Sequence, residues 1–271
     1  MKAHQARKRF GQNFLHDPQV IAGILAHIHP RPGERIVEIG PGLGALTVPL
    51  MDKLHEIDVV ELDRDLIPRL QAACVGRGEL RIHQADALRF DFARLHPGEP
   101  LRLAGNLPYN ISTPLIFHLI ESAAAIQDMH FMLQKEVVDR IVANPGDKDY
   151  GRLSVMAQYH CRAEKCLSVG PGAFRPAPKV HSAVVWLTPH ATPPVDAHDL
   201  KAFKHTVTAA FNQRRKTLGR IFKNRLNAAD FEDLDIAPTA RPETLDLRQF
   251  AALGNRLAKK GEEELAADER R

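Results

Sequence analysis

Nine residues near the middle of the chain, "AGNLPYNIS" (Ala104 to Ser112), begin as an apolar strand would and then place an amide, a proline and a tyrosine within four positions. The Asn106 side-chain carbonyl and the Leu107 backbone carbonyl are acceptors. Pro108 fixes its own φ and brings no donor, and Tyr109 offers a flat ring. Two acceptors beside a ring suit a planar base that carries an exocyclic NH₂. Such a nitrogen is a weak nucleophile because its lone pair is delocalised. Acceptors that grip its hydrogens favour a pyramidal nitrogen and free the pair. Attack on an electrophilic carbon then needs positioning more than it needs a strong base. Acceptors and a ring face also stabilise the positive charge that the nitrogen gains. Taken alone, the same four residues fit equally a proline turn with a core tyrosine.

A second group lies upstream. "VEIGPGLGALT" carries Gly40, Gly42 and Gly44 between a β-rich run and a helical stretch, where glycine permits a tight turn and close approach of a ligand. About twenty residues later, Glu61 ends a second apolar run, the place of a ribose-binding acid in nucleotide-binding doubly wound sheets. A nicotinamide dinucleotide fits this pattern through its pyrophosphate on the helix N-terminus. S-adenosylmethionine fits it through its methionine part, and the loop does not choose between them. Asp86, in "HQADAL", is placed to accept from an adenine amine beside the small Ala87, or to cap the next helix.

These residues require strands that end together. "RIVEIG" (35–40), "IDVVELD" (57–63), "LRIHQAD" (80–86), "LRLAGN" (101–106) and "MHFMLQKE" (129–136) read as strands, and "DPQVIAGILAHI" (17–28), 45–54 and "RDLIPRLQAA" read as helices. Their alternation predicts βαβ units and a parallel sheet, an α/β Rossmann-like fold. Asp17 is the expected N-cap of the first helix, with Pro18 at its first position. "GPGAFRPAPKVHS" reads as a stiff loop, "SAVVWL" (182–187) as a strand and "TPHATPPVD" (188–196) as a linker. Beyond it the pattern turns helical at 201–212, 216–224 and 247–259. The expected organisation is a domain over 1–192 with a basic lid segment at 1–16, a helical domain over 197–260, and a disordered charged tail over 261–271.

Composition bounds the function. The chain has 271 residues, 44% of them hydrophobic, enough for a sizeable core. No apolar run reaches the ~18 residues of a membrane span, and the basic start lacks a signal-peptide core, so a cytoplasmic protein is expected. Three cysteines (Cys74, Cys161, Cys166) fit no zinc spacing and read as small buried hydrophobes, and the histidines form no cluster, so no metal is expected. The net charge of +4 is unevenly spread. Lys2, Arg7, Lys8 and Arg9 precede Phe10 with no acid among them, and eight Lys or Arg face one acid between Lys201 and Asp230. Such local excess points to a polyanion, against the alternative of a solvated helix face.

Together, "NFLHD", "VEIGPGLGALT", "VVELDRDL", "AGNLPYNISTPLIFHL", "MHFMLQKEVVDRIVA", "YGRLSVMAQY", "FRPAPKVHSAVV" and "AFNQRRKT" resemble the ribosomal RNA adenine dimethyltransferases, in order, from about Phe10 to Lys216, with weaker likeness to about Leu257. The resemblance implies S-adenosylmethionine as methyl donor. It makes Asn13 and Leu15 a lid, Gly40 and Gly42 the loop at the methionyl part, Glu61 the ribose acceptor, and Asp86 with Ala87 the adenine site. It makes Asn106 and Leu107 the grip on the target amine, and Tyr109 and Phe174 the two stacking walls. It also implies four methyl transfers to two adjacent adenines in the 3′-terminal hairpin loop of 16S RNA, within the immature small subunit. The basic stretch with Arg214, Arg215, Lys216, Arg220, Lys223 and Arg225 suits the phosphates of an A-form helix. A monomer is the default. Two other readings stand beside this one: an assembly factor that binds ribosomal RNA, and a nicotinamide dehydrogenase resting on the glycine loop alone.

Overall fold

The computed structural model describes residues 12–268, with side chains to residue 263. The basic residues Lys2, Arg7, Lys8 and Arg9 lie outside this range. The chain forms two compact units, one of residues 12–139 and 161–189, the other of 140–160 and 190–268. The segment 140–160, expected in the first domain, therefore packs with the second.

In chain order the first unit contains β1 (Phe14–Leu15), α1 (Pro18–Ile28), β2 (Ile36–Ile39), α2 (Thr47–Leu54), β3 (Glu56–Glu61), α3 (Ile67–Cys74), β4 (Glu79–Gln84), β5 (Leu101–Asn106), α4 (Ser112–Glu121) and β6 (Ile126–Gln134). Next come α5 (Lys135–Val142) and α6 (Arg152–His160), then β7 (Cys161–Val169), β8 (Phe174–Arg175) and β9 (Ser182–Pro189). Seven strands form one sheet in the order β4-β3-β2-β5-β6-β9-β7. β4, β3, β2, β5 and β6 run parallel, and β9 is antiparallel to both its neighbours. The strand order reverses between β2 and β5, the crevice where open α/β sheets bind ligands.

β2, β3, β5 and β6 are buried along most of their length, which is why their sequences are largely apolar, whereas the edge strand β4 is only partly buried. Asp17 caps α1 as expected, its carboxylate accepting from Gln19 N at 2.8 Å and Val20 N at 3.2 Å. β6 stops at Gln134, two residues short of the expected strand end, because Lys135 already opens α5. Within the core, the Arg102 guanidinium meets both oxygens of Asp128 at 2.9 Å, Glu34 at 2.7 Å and the Ile28 carbonyl at 2.6 Å. A second charged cluster surrounds the buried Asp58, which accepts from His83 at 2.7 Å, His96 at 2.9 Å and Arg81.

The second unit adds α7 (Leu200–Asn212), α8 (Leu218–Ile221), α9 (Ala228–Asp233) and α10 (Leu247–Asp268). Asp199 caps α7 through Lys201 N and Ala202 N. Phe203, Val207, Ala210, Phe250, Leu253 and Leu257 are buried here. Gly254 eases the close approach of α10 to α7, since a Cβ would lie a tight 3.2 Å from Phe203 Cα. Tyr150, from the segment 140–160, is 1% exposed and donates to the Leu245 carbonyl at 2.9 Å. Two expectations are corrected. The helix expected over 216–224 is a single turn at Leu218–Ile221. The tail expected to be disordered from 261 continues α10 to Asp268, its Glu, Leu and Ala being strong helix formers.

Candidate active site

At the carboxyl ends of β2, β3, β4 and β5 lies a cavity of about 330 Å³, within the range of small-molecule sites. The residues that line it come from the glycine loop, the ends of β3 and β5, the segment after β4, and residues 12–15. Asn13, Leu15, Gly40, Gly42, Glu61, Asp86, Ala87, Asn106, Leu107 and Tyr109 are all among them.

The glycine loop has the geometry that its sequence implied. Gly40 and Gly42 have φ of 69° and 58°, in the left-handed region. Gly40 N donates to Val60 O at 2.9 Å, tying the loop to β3. A Cβ on Gly42 would meet the Phe14 ring at 3.3 Å, so the loop and the N-terminal segment are fitted to each other. The Glu61 carboxylate is held by two backbone donors, Asp63 N at 2.7 Å and Gly42 N at 3.3 Å. Burial raises its pKa, and those two bonds oppose the rise. Each carboxylate oxygen keeps a lone pair for a ligand hydroxyl. One oxygen of Asp86 accepts from Leu88 N at 3.0 Å, so the residue caps the following turn and still presents its second oxygen.

Gly105 explains how Asn106 is placed. A Cβ there would lie 2.4 Å from Ile39 O, so glycine alone lets β5 approach β2 this closely. Asn106 Nδ2 donates to Asn13 O at 3.0 Å. With the amide nitrogen so used, the oxygen is left for a ligand. The loop behind it is pinned by Leu107 N to Met132 O at 3.1 Å, Ile111 N to Pro108 O at 3.2 Å and Ser112 Oγ to Pro108 O at 3.0 Å. Tyr109 is half-buried, and a 2.7 Å hydrogen bond joins its hydroxyl to Ser182 Oγ. Burial pushes the phenol pKa up.

Phe174 departs from expectation. It is 3% exposed, paired with Leu15 between β8 and β1, and packed in the hydrophobic core rather than on the cavity wall. Tyr109 lines the cavity, and Phe174 is not among the residues that line it.

The cavity holds groups that the sequence reading passed over. Glu38, on β2, is 2% exposed and accepts from Thr47 Oγ1 at 2.6 Å. Burial, reinforced by the Glu61 charge, pushes its pKa up to about 8. An acid inside the apolar run "RIVEIG" was the available signal. Asp63 accepts from Gln12 Nε2 at 2.9 Å, anchoring the N-terminal segment at the end of β3. Residues 12–16 thus reach from Asp63 to the turn just before β8, where His16 N donates to Ala173 O at 3.0 Å.

The expected RNA-binding residues lie on the second unit, at the end of α7 and around α8. Arg214, Arg215, Lys216, Arg220 and Lys223 are all exposed, as is Arg225. Arg214 donates to Lys148 O at 2.8 Å, Lys216 to Gln213 at 2.9 Å and Arg225 to Leu257 O at 2.9 Å. Among the described residues, Arg215, Arg220 and Lys223 make no ion pair. No group of three or more His, Cys, Asp or Glu is placed to hold a metal ion, and no helix is long and apolar enough to cross a membrane, again among the described residues.

Comparison with known proteins adds to this geometry. A family described as "Ribosomal RNA adenine dimethylase" matches residues 3–259. A "Ribosomal RNA small subunit methyltransferase A" of Pseudomonas aeruginosa is 59% identical, covering 94% of this chain and 96% of its own. One of the same name from a Marinomonas species is 56% identical, covering 95% and 97%. Among solved structures, a dimethyladenosine transferase from Plasmodium falciparum superposes with a TM-score of 0.78 at 27% identity, covering 92% of this chain and 98% of its own. The 23S rRNA methyltransferase ErmE superposes with a TM-score of 0.72 at 26% identity, covering 91% and all of its own chain.

Proposed function

Because the chain belongs to the ribosomal RNA adenine dimethylase family, we propose that its cavity binds S-adenosylmethionine and that the Asn106–Tyr109 segment presents an adenine N6 of small-subunit ribosomal RNA to it. The residues present fit that cofactor. Glu61 and the second oxygen of Asp86 are acceptors for ribose hydroxyls and an adenine amine. Ala87, Leu62 and Leu66 give apolar walls, and the glycine loop leaves room for the methionyl part. When bound, the cofactor supplies a methyl carbon whose bond to sulfur breaks as nitrogen attacks.

The chain's own residues prepare the nitrogen. Asn106 commits its NH₂ to Asn13 O and so turns its oxygen toward an incoming donor. This is the observation that carries the reading: an amide locked as an acceptor at the end of β5, beside a tyrosine ring. The Leu107 carbonyl provides the second acceptor. Tyr109 supports the base by stacking, worth roughly 1–3 kcal/mol per base. A base in an RNA loop is cheaper to extrude into such a site than one in a duplex. No residue of the segment acts as a strong base, and the methylated ammonium loses its proton to water afterwards. Asn106, being uncharged, tolerates losing one N–H partner after the first methyl, which favours continuation to the dimethyl product.

The exposed cations of the second unit suit phosphates, and they also support a role in holding an immature small subunit. The transfer of four methyl groups to two adjacent adenines of the 3′-terminal hairpin loop of 16S RNA follows from the family likeness. The decisive experiment incubates the protein with labelled S-adenosylmethionine and unmethylated small subunits and maps the modified bases. Asn106→Ala is expected to retain cofactor affinity within about tenfold and to lose about 10³-fold in methyl transfer. Wild-type turnover in that variant removes the mechanism.

A further inference from the structure

Ser182 is the first residue of β9 and is completely buried. It is flanked on one side by Gln134 of β6 and on the other by Val169 of β7, so its backbone is fixed by both neighbouring strands. Its hydroxyl lies 2.7 Å from that of Tyr109, seventy-three residues away in sequence. Ser182 does not line the cavity, and Tyr109 does. The bond therefore joins a rigid strand to the residue that faces the base.

Its consequence follows from the remaining contacts of the Asn106–Ser112 loop. The loop backbone is pinned through Leu107 N and Pro108 O. What is left free in Tyr109 is rotation of its side chain, and the hydroxyl bond to Ser182 removes that freedom. The phenol is then held away from hydrogen bonding with a ligand, and the ring meets a base as an apolar face only. Such a face does not distinguish an NH₂ from an NHCH₃, whereas the acceptors of Asn106 and Leu107 do, because one N–H is gone after the first methyl transfer. The base then depends more on stacking for its orientation.

We propose that Ser182 is a positioning residue that fixes the Tyr109 ring, and that the second methyl transfer depends on it more than the first. This rests on the reading of the cavity as an adenine N6-dimethylating site.

The test uses the full chain with S-adenosylmethionine and unmethylated small subunits, comparing Ser182→Ala, Tyr109→Phe, the double variant and Ser182→Thr. Either end of the bond can be removed, and Tyr109→Phe leaves β9 untouched if Ser182→Ala folds poorly. The readouts are the ratio of mono- to dimethyladenine by mass spectrometry and, separately from activity, the quenching of 2-aminopurine placed at the target position of an RNA hairpin. The expected result is a rise of about tenfold in the monomethyl fraction and weaker quenching in both single variants, no further change in the double variant, and recovery with Ser182→Thr. A wild-type product ratio in both single variants, or effects that add in the double variant, overturns the proposal. A wild-type protein that forms no methylated adenine refutes the underlying reading instead, and that outcome is visible without any variant.

Discussion

Glu38 offers a direct measurement of what it costs to place a carboxylate in this cavity. Burial raises its pKa from 4.5 to about 8. At 1.36 kcal/mol per pH unit, a single group moved that far is linked to as much as about 5 kcal/mol of folding free energy. The direction is fixed. Below pH 4.5 the group is protonated in both folded and unfolded chains, and the associated stability is fully present. As pH rises, the unfolded chain releases the proton first while the folded one holds it until about pH 8, so stability falls across this window. Glu38→Gln removes the titration and keeps an acceptor for Thr47. The assay is urea unfolding of the cofactor-free protein at pH 5, 6.5 and 8. The chain's single tryptophan, Trp186 on β9, serves as a fluorescence reporter of the unit that contains Glu38. The variant should gain on the wild type as pH rises, by several kcal/mol between pH 5 and 8. A gap that stays constant with pH shows that Glu38 is solvated well enough to ionise normally, and refutes the reasoning.

Two further substitutions probe the scaffold behind the site. Gly105→Ala puts a methyl 2.4 Å from Ile39 O, a backbone atom that cannot swing aside as the end of a side chain could. It should cost about 3 kcal/mol or more by the same fluorescence assay, and a loss below about 0.5 kcal/mol would show that β2 and β5 can separate freely. Asp128→Ala strips the buried Arg102 of its bidentate partner and should cost about 3–5 kcal/mol, whereas replacing both residues with apolar ones should recover much of the loss. Equal losses in the single and double variants would place the cost in packing rather than in an unpaired charge.

The strands that position the site were legible because parallel, buried strands announce themselves as short apolar runs ending in Gly40, Glu61 or Asn106. The cavity residues at those ends were legible for the same reason. Local signals failed where the contact is distant in sequence. Nothing in "KVHS" marks Ser182 as the partner of Tyr109, because that pairing exists only once β9 has inserted between β6 and β7. Phe174 was named through the family resemblance alone, and its burial depends on β8 pairing with β1, a contact distant in sequence. Glu38 was read as part of a strand, and its raised pKa comes first from burial, which only the packed sheet reveals, with the Glu61 charge a lesser cause. The segment 140–160 carries no linker signal at either end, so its membership of the second unit was invisible in composition.

That segment has a consequence for how the protein can be divided. The polypeptide passes between its units after Asp139, His160 and Pro189. A chain cut at residue 190 would keep 140–160 but lose the Leu245 carbonyl that receives the Tyr150 hydroxyl and the side chains that bury its ring. The helical unit is tied to the sheet unit by an excursion of the latter's own chain, and a clean excision of either would have to take out an internal piece and rejoin the ends.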